Sequence, residues 1–238
     1  AASNLTGDLS VNATSRGTVN VTSGPGDDNV VLFGNIGAGE YSGNALASGL
    51  ANKEDNFAVT FTEDEETGEL VQTGEFYKPT GTIDLGEGDN TLEVFGAIDL
   101  TGATLKNVNE LVINSTVLLD WEAVINIKSI KVDNSSSHKM VYRFVDQVTE
   151  TYYWHGAPLD GVNGLKKLAS QLKGQELSTT SLEIQAAKTS VFWPFNEVPV
   201  NDSINLDTIF SDVNFGEIIV RGGAGNDKLT GGAGDDTL

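Results

Sequence analysis

The chain has 238 residues, of which 34 are acidic and 14 basic, for a formal net charge of −20. Such a chain has no basic patch to neutralise phosphates, so nucleic acid is excluded as a partner. Cysteine is absent, which excludes disulfides and thiolate chemistry. No apolar run reaches the roughly 18–20 residues of a membrane helix, so we expect no membrane insertion.

Short apolar strands separated by turn residues predict a mainly β first segment, residues 1–133. Leu9–Val11, Val19–Val21 and Val30–Phe33 are the first strand candidates. Residues 56–77 predict a hairpin that projects from the body: Phe57, Val59 and Phe61 alternate with polar residues, an acidic tip follows at 63–66, and Leu70–Tyr77 returns.

Residues 82–133 have the pattern of stacked coils. Aliphatic residues recur at short, uneven intervals between turns that carry Gly, Asn, Asp or Ser: Ile83/Leu85, Leu92/Val94, Ile98/Leu100, Leu105, Leu111/Val112, Val117/Leu119, Ile125/Ile127 and Ile130/Val132. Inward-pointing aliphatic side chains would stack from coil to coil, because each coil needs neighbours to bury its apolar face. The pattern therefore predicts an irregular parallel β-solenoid or β-roll.

Residues 134–200 break this pattern and are predicted to form a small mixed insert. Val141–Val145 and Val148–Trp154 are strand candidates. Apolar residues at i, i+3, i+4 and i+7 predict one amphipathic helix at about 162–173, capped by Asp160 or Asn163 and ended by Gly174. The apolar cluster Val191–Phe195 is interpreted as a plug over a solenoid end, with an interface patch as the alternative.

A nonapeptide of the form G-G-x-G-x-D-x-U-x, where U is a large aliphatic residue, occupies 222–230, and a second copy that is one residue short occupies 231–238. The glycines permit a tight turn that aims carbonyl oxygens at one point, and Asp227 and Asp236 each add a carboxylate. Leu229 and Leu238 are then predicted to point into a core. The candidate Ca²⁺ ligands are Gly222, Ala224, Asn226, Asp227, Gly231, Ala233, Asp235 and Asp236.

These nonapeptides resemble the RTX family, the haemolysin-type calcium-binding repeat proteins that Gram-negative bacteria secrete. The resemblance covers 222–238 and implies that 201–238 begins a parallel β-roll that folds with Ca²⁺ outside the cell after type I export. It also implies that each ion lies between turns two repeats apart. The turns at 222–227 and 231–236 would then be half-sites on opposite sides of the roll, in a fragment of a longer array.

Weaker echoes of the same turn occur at residues 24–36 and 86–98. Aligned without a gap, they share several glycines and place Asp27 and Asp28 opposite Asp89 and Asn90. All four residues are candidate Ca²⁺ ligands, and Asn90 would be the weaker donor because its oxygen carries no charge. The alternative is a plain β-turn that leads into a strand.

The sequence contains neither H-E-x-x-H nor G-x-S-x-G, so we expect no enzymatic activity. The predicted function is a structural, Ca²⁺-binding segment of a secreted bacterial surface-layer protein on the cell surface. Its partners would be copies of itself or neighbouring surface proteins. Two alternatives remain: a glycan- or ligand-binding module of an RTX adhesin, and a fragment of an RTX hydrolase.

Overall fold

The computed structural model describes residues 7–13, 18–33, 60–63, 70–73, 76–114, 116–133, 138–143, 158–185, 189–192, 196–199, 203–222, 226–232 and 235–238. The fold is mainly β, as predicted. Its strands are β1 Ser10–Ala13, β2 Val21–Thr22, β3 Asn29–Phe33, β4 Thr60–Glu63, β5 Leu70–Thr73, β6 Gly81–Asp84, β7 Thr91–Phe95, β8 Ile98–Asp99, β9 Ala103–Lys106, β10 Val108–Ile113, β11 Val117–Leu119, β12 Ile127–Val132, β13 His138–Arg143, β14 Glu176–Gln185, β15 Thr189–Phe192, β16 Asn196–Pro199, β17 Ser203–Asn205, β18 Asn214–Arg221, β19 Lys228–Thr230 and β20 Asp235–Thr237. The helices are α1 Trp121–Ile125, α2 Pro158–Leu172 and α3 Leu206–Ile209, with a 3₁₀ turn at Leu100–Gly102.

Four of the sheets are wholly parallel. Their strand orders are β1-β3-β7-β10-β12, β2-β6-β9, β8-β11-β13-β14-β18-β20 and β17-β19. Parallel neighbours cannot be joined by a tight hairpin, so the chain must leave a sheet before it returns. From β6 to β11 it visits the three-stranded, five-stranded and six-stranded sheets in that order, twice.

Rows of aliphatic side chains in register form the core of the five-stranded sheet. Val30, Leu92, Leu111 and Ile130 lie opposite one another on four neighbouring strands and are all buried. Two residues further on, a second buried row continues in the same register: Leu32, Val94, Ile113 and Val132. Each fully buried side chain of this kind stabilises the fold by about 1.5–3 kcal/mol.

Helix α2 covers the β12 edge of the five-stranded sheet. The amide of Gln175, just after the helix, accepts a hydrogen bond from Val132 N and donates one to Ile130 O. Gln171, on α2, donates to the carbonyl oxygens of Val124 and Ile127. These side chains satisfy backbone groups of this part of the chain, which would otherwise be buried without partners.

Helix α2 begins at Pro158, earlier than the predicted range, so the predicted caps are wrong. Asp160 and Asn163 lie inside the helix rather than before it. Proline suits a first helical position because its φ is already helical and its missing N–H would have no partner there. The helix ends before Gly174, which adopts a φ of +81°.

Two further predictions were wrong, one about the end of the hairpin and one about a core residue. The hairpin strands β4 and β5 pair antiparallel, but Tyr77 is buried and forms a parallel bridge with Ile98, so it belongs with the parallel strands. Ile125, predicted as a core residue, is 48% exposed. Asp120 accepts a hydrogen bond from Ala123 N and starts helix α1, which turns Ile125 away from the core.

The six-stranded sheet takes strands from all three predicted segments. It contains β8 and β11 from 1–133, β13 and β14 from 134–200, and β18 and β20 from 201–238. Several parts of the predictions lie outside the described residues: the start of the hairpin with Phe57 and Val59, its acidic tip beyond Glu63, the strand candidates from residue 144 to 154, and the centre of the 191–195 cluster. Within the described segments, no helix has both the length and the apolar composition needed to cross a bilayer.

Candidate calcium site

The two nonapeptides lead the chain from one sheet to another and back. From β18 the chain passes through the first turn to β19, which pairs with β17, and then through the second turn to β20, which pairs with β18. Leu229 is partly buried and packs against the core, as predicted. Leu238 is instead 57% exposed, because it lies one residue beyond β20 and no neighbouring strand of the described chain covers it.

In both turns the aspartate folds back over the first glycine of its own repeat. A Cβ on Gly231 would lie 2.6 Å from Asp236 Oδ2, and a Cβ on Gly222 would lie closer still to Asp227 Oδ2. Asp236 Oδ2 also accepts a hydrogen bond from Gly232 N at 2.8 Å. The first glycine of the repeat is therefore required by the close approach of the carboxylate.

The second turn has an unused buried acceptor. Asp236 Oδ1 is buried and has no hydrogen-bond partner among the described residues. A buried carboxylate oxygen without a partner is costly, whereas a hard divalent cation would satisfy it. This turn therefore fits Ca²⁺, with Asp236 as the charged donor.

Only part of the predicted ligand set in the nonapeptides is described. Asn226 is exposed and Asp227 is partly buried. Ala224 and Ala233 lie outside the described residues, as does the side chain of Asp235. In the described part of the chain, no three His, Asp or Glu side chains gather around one point.

The predicted pairs Asp27/Asp28 and Asp89/Asn90 stack directly on each other. Asp28 N donates to Asn90 Oδ1 at 2.9 Å, and Asp89 N donates to Asp27 Oδ1 at 2.8 Å. Asp28 and Asn90 are buried, whereas Asp27 and Asp89 are exposed. Adjacent residues of each turn therefore form an inner row and an outer row of hydrogen bonds.

Two members of the outer row, Asp8 and Asn109, were not predicted from the sequence. Asp27 N donates to Asp8 Oδ1 at 3.0 Å, which extends the row by one turn. Asn109 continues it on the other side, with its Nδ2 donating to Asp89 Oδ1 at 2.9 Å. The signal was present in the dipeptide Gly7-Asp8, which precedes Gly26-Asp27 by 19 residues.

Asp99 and Asp120 are also buried, but both serve as caps. Asp99 accepts a hydrogen bond from Thr101 N at the 3₁₀ turn and lies 3.4 Å from Lys78 Nζ. Burial raises the pKa of Asp120, and the nearby charges of Glu122 and Asp99 act in the same direction, while the hydrogen bond from Ala123 N opposes them. We therefore assign these two carboxylates to the fold rather than to a site.

Comparison with known proteins identifies the C-terminal turns. Residues 219–238 match the family model of the RTX calcium-binding nonapeptide repeat, which comprises four copies. No curated protein and no solved structure matches the chain. The matched segment contains both turns in which aspartate folds over glycine, and repeats of this kind bind Ca²⁺. The chain therefore carries RTX calcium-binding nonapeptide repeats at residues 219–238.

Proposed function

We propose that this chain is a calcium-ordered structural segment of a secreted bacterial surface protein, of the class that forms surface layers. The observation that carries the proposal is the turn around Asp236, where a buried carboxylate oxygen has no hydrogen-bond partner among the described residues and the carboxylate lies close over Gly231. That turn joins β19 and β20, at the end of the parallel strand stack. Calcium bound there would order the last coils.

The proposed architecture is an irregular parallel β-solenoid. The repeated passage of the chain through three sheets in the same order, from β6 to β11, supports it. So do the aliphatic rows that continue in register across neighbouring strands. Such a stack is stabilised mainly by contacts between adjacent coils, which suits an extended scaffold.

Electrostatics supports a role for Ca²⁺ in forming this scaffold. A formal net charge of −20 opposes compaction and opposes contact between copies of the chain. Divalent ions would lower both barriers. We propose that the chain folds fully only where calcium is abundant, outside the cell, after the type I export that is typical of RTX proteins.

We propose further that the segment acts as a building element and not as an enzyme. Neither H-E-x-x-H nor G-x-S-x-G occurs in the sequence. The buried carboxylates Asp99 and Asp120 already serve as caps, which leaves them no obvious role in acid–base chemistry. The proposed partners are further copies of the chain or neighbouring surface proteins.

Electron microscopy of the purified chain tests this function. With millimolar Ca²⁺ we expect ordered two-dimensional arrays, and with EGTA or with Mg²⁺ alone we expect dispersed particles. An Asp236→Asn variant should form arrays poorly even in Ca²⁺, since it loses the charged donor. Dispersed wild-type particles in Ca²⁺, together with binding to a glycan panel, would contradict the proposal and favour an adhesin.

A further inference from the structure

The two stacked turns that contain Asp28 and Asn90 differ in one side-chain atom. The pairing of β3 with β7 places Asp28 next to Asn90 in register, and the same offset of 62 residues relates Gly24 to Gly86. Leu9 N donates to Asp28 Oδ1 at 2.8 Å, just as Asp28 N donates to Asn90 Oδ1 at 2.9 Å. The two side chains therefore have the same orientation, each accepting an amide from the preceding turn.

The second polar atom of Asn90 is a donor with two acceptors. Its Nδ2 donates to Gly86 O at 3.1 Å and to Asn107 O at 3.2 Å. In Asp28 the corresponding atom is Oδ2, an acceptor, and the carbonyl that corresponds to Gly86 O is Gly24 O. Where the later turn has an N–H that donates to carbonyl oxygens, the earlier turn has a carboxylate oxygen, which cannot donate to them.

The oxygen of Asp28 in place of the nitrogen of Asn90 matters because the side chain is buried. Asp28 is only 2% exposed, and its Oδ2 has no hydrogen-bond partner among the described residues. Ser23 Oγ, in the same turn, is likewise buried without a partner, where the next turn has Leu85. A buried carboxylate oxygen without a partner is costly, and a nearby positive charge would offset its desolvation.

The position of Gly24 O supports a shared site between the turns. A Cβ added to Gly86 would lie under 3.0 Å from this carbonyl oxygen, so Gly24 O points toward the neighbouring turn. Backbone carbonyls and carboxylates at a glycine-rich turn are the donor types that Ca²⁺ prefers. Mg²⁺ fits less well because it demands near-ideal octahedral geometry.

We propose that the turn at residues 23–28 binds one Ca²⁺ ion through Asp28 Oδ2 and Gly24 O. This site lies outside the nonapeptides at 219–238 and does not depend on the surface-layer role. The ion would fix the first coils of the stack, as the nonapeptide ions would fix the last ones. A proton on Asp28, or a bridging water, is the competing way to satisfy Oδ2.

The variant Asp28→Asn separates these possibilities because it reproduces the side chain of Asn90. It keeps Oδ1 for Leu9 N and supplies an N–H for Gly24 O. In chelator we expect it to melt about 2–4 °C above the wild type, the effect of roughly one added hydrogen bond in a chain of this size. In calorimetric titration it should bind one Ca²⁺ fewer per chain.

Glu122→Gln is the matched control, since it removes one exposed charge at the start of α1 and should leave the number of bound ions unchanged. Equal Ca²⁺ stoichiometry for Asp28→Asn and the wild type would overturn the proposal and assign Oδ2 to a proton or a water. Asp236→Asn should lose an ion while retaining the one at Asp28, which separates this site from the nonapeptides.

A crystal of the wild-type chain grown with CaCl₂ gives an answer that needs no variant. The expected result is an anomalous scatterer at about 2.3–2.6 Å from Asp28 Oδ2. A water molecule at that position, or no density there, would refute the site.

Discussion

Replacing Gly88 with alanine should lower the free energy of unfolding by about 2–4 kcal/mol. Gly88 has a φ of +130°, which side chains other than glycine rarely adopt. A new Cβ would also lie 2.7 Å from the carbonyl carbon of Gly26 and closer still to its oxygen. That backbone cannot easily withdraw, because Gly26 N is hydrogen-bonded to Glu87 O at 2.9 Å.

Two other glycines serve as controls for Gly88→Ala in urea denaturation. Gly7 has nothing within 4 Å of its added Cβ, so Gly7→Ala should change stability by no more than about 0.5 kcal/mol. Gly174 has a φ of +81° but open space around it, so Gly174→Ala isolates the cost of backbone strain. A loss at Gly88 no larger than that at Gly174 would mean that the turns are not closely stacked.

Gly231→Ala should weaken the apparent Ca²⁺ affinity by ~10-fold or more, while lowering the stability of the calcium-free protein by only about 1 kcal/mol. The new Cβ would meet Asp236 Oδ2 at 2.6 Å, and this neighbour is the end of a side chain rather than backbone. Without calcium, the carboxylate can rotate away at the cost of its hydrogen bond from Gly232 N, about 0.5–1.5 kcal/mol. With calcium, the same rotation removes the charged donor from the turn.

The adjacent glycine provides the control. A Cβ on Gly232 would meet Leu206 Cβ at 3.5 Å, an ordinary van der Waals contact. Gly232→Ala also keeps the N–H that donates to Asp236 Oδ2. We expect its Ca²⁺ titration, followed by calorimetry, to match the wild type. Equal titrations for all three proteins would show that Asp236 does not need its position over Gly231 to bind calcium.

Much of the core was predictable because burial in a strand alternates with a period of two. Ile83 and Leu85 are buried as the apolar pattern predicted, and so are Leu92 and Val94. Strand pairing was not predictable in the same way. The partners β13 and β14 are separated by α2, and their register depends on contacts between coils that no local pattern encodes.

Short helices were missed for a related reason. Helix α1 has five residues and depends on a single cap, Asp120, whose carboxylate accepts from Ala123 N. A sequence of this length carries too little periodicity to distinguish a helix from a strand. The burial of Ile125 was therefore assigned from its aliphatic character alone, and wrongly.

In the candidate sites, the glycine spacing predicted the turns but not the role of each acid. Asp27 and Asp28 are neighbours in sequence, yet one is exposed in the outer row and the other is buried in the inner row. The difference arises from the strand that follows, because side chains at successive positions point to opposite faces. Asp8 was missed because Gly7-Asp8 carries only a fragment of the repeat.

Thermal melting in EGTA, in Ca²⁺ and in Mg²⁺ tests the central claim, which is that glycine-rich turns bind calcium and thereby stabilise the stacked strands. One site at a hundredfold excess over its Kd contributes about 2.7 kcal/mol, equivalent to ~5–10 °C for a chain of this size. We predict that Ca²⁺ raises the melting temperature by at least that amount and that equal Mg²⁺ does not. Identical melting curves in all three buffers would contradict the account.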